Sequence, residues 1–250
     1  MSARSRAKKQ LPPGATEPAE DPSAAARALS TLIERSSRLQ APAVKAYVQR
    51  LREHSSSATP AEIITKLEKR YLAAVMASGA AVGSAAAFPG IGTLAALSAV
   101  AGETVVFLEA TSLFVLAVAE VHGIPADHRE RRRALVLAVL VGDEGKRAVA
   151  DLLGTGRTSG AWLSDGAATL PLPAVSQLNS RLLRHFVKRY TLKRGAIAFG
   201  KLLPVGIGAA VGGVGNRMMG KKIVGNARRA FGPPPPRWPA TLHLLPAARL

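Results

Sequence analysis

Apolar residues recur along this chain at helical spacing, and almost nowhere at the alternating spacing of a strand. Leu29, Leu32 and Ile33 fall on one face of a segment over about 26–38, and Val44, Val48 and Leu51 share a face over 43–52. Thr59, Pro60 and Glu62 form a helix start: a capping hydroxyl, a proline at the first helical position and a carboxylate three residues after the cap. The helix they open is expected from Ala61 to about Ala87, polar at first and apolar after Arg70. A second arm is expected from about Gly92 to His122. Asp127 and Glu130 repeat the capping spacing before a short apolar run over 134–142, too short to span a bilayer and read as a buried core helix resuming to Leu153. After a loop-like stretch at 154–173, Leu178, Leu182, Phe186 and Tyr190 recur every four residues in a helix over about 174–193. Residues 217–230 complete the helical reading, with a kink at Pro204 before them. The fold class is all-α: a helical bundle around an apolar Gly/Ala-rich hairpin.

That hairpin dominates the pattern. Leu72 to Gly102 is 31 residues without a charged side chain, longer than a bilayer span but broken at its centre by Phe88, Pro89, Gly90 and Ile91. Exposed turns carry polar residues, so so apolar a tip is expected to be buried in protein or lipid. Gly79 with Gly83, and Gly208 with Gly212, put small residues four apart on a helix face, where a neighbouring helix approaches closely. Glu109, inside the apolar run of the second arm, is expected to need an ion-pair partner if buried.

Charge changes the picture at the carboxyl-terminal side. The net charge is +18, and residues 152–250 hold 15 basic groups against the single acid Asp165. Arg181, Arg184, Lys188, Arg217, Lys221, Lys222, Arg228 and Arg229 are expected to form an anion-facing surface for lipid headgroups or an acidic partner. Residues 1–25 are poor in apolar bulk and read as a disordered tail, residues 26–231 as one domain, and 232–250, opening on Gly232 and four prolines, as a flexible tail. The absence of cysteine excludes disulfides and thiolate chemistry. No apolar leader segment follows the amino terminus, and the chain is read as not secreted.

Motifs for catalysis and cofactors fail on inspection. The stretch 215–222 resembles a phosphate-binding loop until its last position, where Lys222 stands in place of the magnesium-binding hydroxyl. The glycines at 206, 208 and 212 are misspaced for a dinucleotide fingerprint. The five histidines form no His-Glu-x-x-His pair, and Asp143 and Glu144, being adjacent, point about 100° apart on a helix. No cofactor, metal or catalytic set is expected. Aromatics at 4% and the lack of a recognised module argue against nucleic acid.

Three segments together resemble the EcsC family of bacterial proteins. They are 88–92 leading into the long apolar helix, 118–124 followed by Asp127 and Glu130-Arg131, and 201–212 continuing through Asn216 to Ala227, similar to the family's Lys-x-x-Pro-x-x-Gly-Ala-x-x-Gly-Ala-x-x-Asn pattern. His122 stands where the family has an aromatic residue. The resemblance spans roughly 60–231. The family has no agreed molecular activity, and its link to an ABC transporter implies an accessory role there or in another envelope process, with transporter subunits as partners; the apolar hairpin, the basic carboxyl-terminal third and the missing catalytic set point to a non-enzymatic membrane-associated protein. Basic groups flank both ends of the hairpin, at 66–70 and 129–133, so the cytoplasmic face of the membrane is the expected location. The alternative is a soluble helical domain whose basic third binds an acidic partner or nucleic acid.

Overall fold

A computed structural model of the chain describes residues 42–55, 57–85, 93–124, 126–153, 163, 171–200 and 207–239. They are helical, with no strand among them. The elements are α1 (42–53), α2 (Pro60–Ala85), α3 (Thr93–Val121), α4 (Arg129–Val141), α5 (Asp143–Leu153), α6 (Leu172–Gly200) and α7 (Ile207–Phe231). The helix expected over 26–38, the hairpin tip at 88–91 and the kink at Pro204 lie outside the described residues.

The start of α2 follows the sequence closely. The Thr59 N–H donates to Glu62 Oε2 at 2.9 Å, and the Glu62 N–H to Thr59 Oγ1 at 3.3 Å, so two orphan amides of the first turn are satisfied reciprocally. The same spacing at Asp127 and Glu130 makes no such box. The helix starts a residue later, at Arg129, with His128 as an N-cap that makes no side-chain bond. Both carboxylates are drawn elsewhere: Asp127 accepts from Lys45 Nζ at 2.9 Å, and Glu130 from Asn179 Nδ2 at 2.7 Å. Arg132 compensates, its buried guanidinium donating to the carbonyls of Ala126 and Asp127.

Helices α2, α3 and α7 form one unit. Glu68 meets Arg228, Val75 meets Asn216 and Ala80 lies by Gly213, so α7 runs antiparallel to α2. Tyr71 bonds Thr111 and stacks on Phe114 with ring centroids 4.7 Å apart, so α3 is antiparallel to α2 as well. The second layer is α4, whose residues Ala134 to Val139 are all buried, packed between α6 and the α3–α7 face. A helix apolar all round belongs at the centre of a bundle. The α6 stripe Leu178, Leu182 and Phe186 closes the core as its spacing predicts.

At Gly142 the chain turns from α4 into α5 with φ +74°, and a Cβ there would lie 2.7 Å from Asn226 Nδ2. Asn226 in turn donates to Val139 O at 2.8 Å. Glycine is therefore required twice over, by the backbone conformation and by the close approach of α7.

The first eight residues of the expected tail pack against the bundle. Residues 232–239 run back over the bundle as a strap. Trp238 Nε1 donates to Ala58 O at 3.1 Å, the Arg52 guanidinium lies 4.2 Å above the Trp238 ring, and Pro239 seats against Gly123. Polyproline geometry ends the helix as read; the indole and its cation then bind the segment down.

Candidate functional site

The antiparallel register brings two uncharged sequence stretches to the same end of the α2–α3–α7 unit. On α2 the residues beyond Val75, on α3 those before Glu103, and on α7 those before Asn216 contain no charged side chain. Each helix extends about 15 Å past that level at 1.5 Å per residue. The described surface there is small and apolar: Ala77, Ala81, Gly102 and Val214 are exposed.

A polar layer closes this end off from the rest of the bundle. Asn216 Nδ2 donates to Glu103 Oε1 at 2.8 Å and to Val75 O at 3.0 Å. Glu103 is 1% exposed, so its carboxylate needs such donors. The buried acid of α3 is thus Glu103. Glu109, the acid for which a buried ion pair was considered, faces solvent. Residues 102, 106, 109 and 113 form the outer stripe of α3, and 103 lies about a quarter-turn round the helix from it.

Immediately below that layer lies a collar of cations. Arg217, Lys221 and Lys222 on α7 and Lys69 and Arg70 on α2 are exposed. Arg70 donates to Tyr47 Oη at 2.6 Å, and Lys222 is also engaged in a contact. On the same α7 face stand Val214, 58% exposed just above the layer, and Met218, 69% exposed among the cations. Their i, i+4 spacing beside Arg217 and Lys221 makes this face amphipathic along its length.

The other expected site residues divide. Arg181 and Arg184 are exposed on α6, as expected; Lys188 is in α6, its side chain outside the described residues. Arg228 and Arg229 are exposed as well, and each is paired with an acid. Arg228 grips the buried Glu68 with both Nε and Nη2, at 2.7 and 2.5 Å, and this fork holds its pKa above the usual arginine value. Arg229 bonds Asn226 Oδ1 at 2.7 Å and approaches Asp143 at 3.4 Å. Their acids are some 85 to 160 residues away in sequence, which helical spacing within 217–230 does not reveal.

Gly79 is buried on α2. Gly83, Gly208 and Gly212 lie in helical backbone, their surroundings outside the described residues, as are Phe88, Pro89, Gly90 and Ile91 altogether. The close approach of α7 to α2 that the structure does describe is at Gly220, where a Cβ would lie 2.9 Å from Leu72 Cδ2. The glycine-rich stretch 215–222 is continuous helix, so its amides serve the helix rather than a phosphate loop. Among the described residues no three metal-ligating side chains stand together.

One described stretch, Gly102–Val121, is long and apolar enough to cross a membrane, and most of it is buried inside the bundle. No family model, curated protein or solved structure matches this chain.

Proposed function

We propose that this protein is a non-enzymatic membrane-associated protein, in keeping with its resemblance to the EcsC family, and that it binds the cytoplasmic leaflet by its uncharged end. The observation that carries the reading is the convergence of three charge-free helix ends above one polar layer. Their reach of about 15 Å equals half of a ~30 Å hydrocarbon core. A single leaflet accommodates that end without any helix crossing. The collar then falls at headgroup depth, where each Lys or Arg adds about 1 kcal/mol of attraction to anionic lipid. Helix α3 enters with its amino-terminal third, and its remainder is held by Phe107, Phe114, Val115 and their neighbours in the bundle core. The partner proposed is anionic lipid; transporter subunits, which the resemblance implies, remain a further proposal that no described surface singles out.

Flotation with vesicles tests this. The protein is expected to float with phosphatidylglycerol-containing vesicles and to stay down with neutral ones at physiological salt. Replacing Val214 and Met218 by Glu should reduce the floated fraction at least about tenfold, since two carboxylates placed in the interface oppose both burial and headgroup charge. Both side chains are exposed, so the fold should keep its melting temperature. Equal flotation of the variant, or a preference for duplex DNA over vesicles at matched salt, overturns the reading.

A further inference from the structure

At the end of the bundle opposite the uncharged one, a cleft of about 660 Å³ opens between α2, α3, the α4–α5 turn and the end of α7. Its floor is apolar: Ile64, Phe114, Val118, Ala227 and Phe231. The volume lies in the range of small-molecule sites, and a floor of this kind takes hydrocarbon or an aromatic ring. Gly232, Pro233 and Pro234, the start of the strap, form one wall.

The rim is charged, and its pairing leaves a definite residue. Glu68 is neutralised by the fork from Arg228. Asp143 faces Arg229 at 3.4 Å. His122, half-buried and stacked on Phe231 with ring centroids 5.4 Å apart, is held below the usual histidine pKa by burial, which favours its neutral form. Lys146 remains, exposed at the mouth, the rim cation without an ion-pair partner among the described residues. The rim therefore carries one net positive charge above an apolar floor. One unpaired cation matches one negative charge on an occupant.

We propose that this cleft binds a monoanionic amphipathic small molecule, its hydrocarbon tail on the Phe114–Phe231 floor and its head at Lys146. A fatty carboxylate and an alkyl phosphodiester share that chemistry. The site is separate from the membrane-facing end: Glu68 and Ala85 are 17 residues apart on α2, about 25 Å along its axis. It stands whether or not the uncharged end enters lipid.

Calorimetric titration of the full chain at pH 7 with decanoate and decyl methyl phosphate, below their micellar concentrations, tests the proposal. Dimethyl phosphate supplies the head alone, and decyl maltoside the tail with no charge. Saturable one-to-one binding of a charged decyl probe is expected, with either control at least about tenfold weaker. The two charged probes separate a carboxylate from a phosphate ligand. Lys146→Glu should weaken binding at least about tenfold at unchanged melting temperature, because the side chain is exposed. Ala61→Trp, which fills the cleft from an exposed position on its wall, should abolish binding. The Val214→Glu, Met218→Glu variant should bind like the wild type. No saturable binding, equal affinity for decyl maltoside, or full affinity in Lys146→Glu overturns the proposal. Loss of binding in the Val214→Glu, Met218→Glu variant does too, since it would trace the signal to the opposite end.

Discussion

Tyr71 sits where α2 meets α3, its ring stacked on Phe114 and its hydroxyl 3.0 Å from Thr111 Oγ1. Burial raises its pKa far above the ordinary 10.0, outweighing the Thr111 bond, which acts in the opposite sense. The folded state thus favours the neutral phenol. That contribution to stability is intact below pH 10 and is lost as pH rises beyond it, where the unfolded chain ionises and the folded one does not. Native wild type and Tyr71→Phe should therefore give the same 295 nm titration up to about pH 11, differing by one tyrosinate only after unfolding. A difference of one tyrosinate in the native state at about pH 10 would contradict the burial described. The burial of Tyr71 at the edge of an apolar run is consistent with its sequence, but the burial of Glu103 is not legible there. Helix α3 is so uniformly apolar that its inward face cannot be phased from composition. The partner that makes a buried Glu103 tolerable, Asn216, is 113 residues away.

Among the elements, helix existence was legible and helix ends were less so. Thr59-Pro60-x-Glu62 marked α2 because all of its capping atoms are local. Asp127 and Glu130 presented the same letters and failed, because Lys45 and Asn179 compete for the two carboxylates through tertiary contacts. Helix α6 runs on to Gly200, past the expected end at about 193 and through Gly195, with no proline to stop it in that stretch. Three glycines show what the spacing rule can and cannot assign. Gly215 has open space where a Cβ would go, Gly220 meets Leu72 Cδ2 at 2.9 Å, and Gly142 combines positive φ with a 2.7 Å approach to Asn226. Gly215→Ala should raise stability by about 0.5–1 kcal/mol through helix propensity. Gly220→Ala should give back that gain because the end of the Leu72 side chain must shift. Gly142→Ala should cost roughly 1–3 kcal/mol. Denaturant unfolding of the three variants checks the order, and a stabilised Gly142→Ala would contradict the turn.

For the molecule as a whole, the charge asymmetry was plain in the sequence, whereas its use was not. Several of the 15 basic groups of the last 99 residues stand exposed, Arg228 and Arg229 among them but paired with acids on α2 and α5, and Trp238 engages Arg52 through the strap. The convergence of the stretches 76–85, 93–102 and 207–215 at one end follows from the antiparallel register of α2 with α3 and α7, which no local pattern encodes. That convergence carries the central claim, and the lack of cysteine makes it directly measurable. A nitroxide placed by Ala81→Cys sits about 9 Å beyond the polar layer, and one placed by Thr65→Cys lies on the far side of it. With anionic vesicles, the label at 81 should become accessible to oxygen and shielded from a water-soluble nickel relaxant, while the label at 65 stays open to the nickel reagent. If the label at 81 is as open to nickel with vesicles as without them, the uncharged end does not enter lipid.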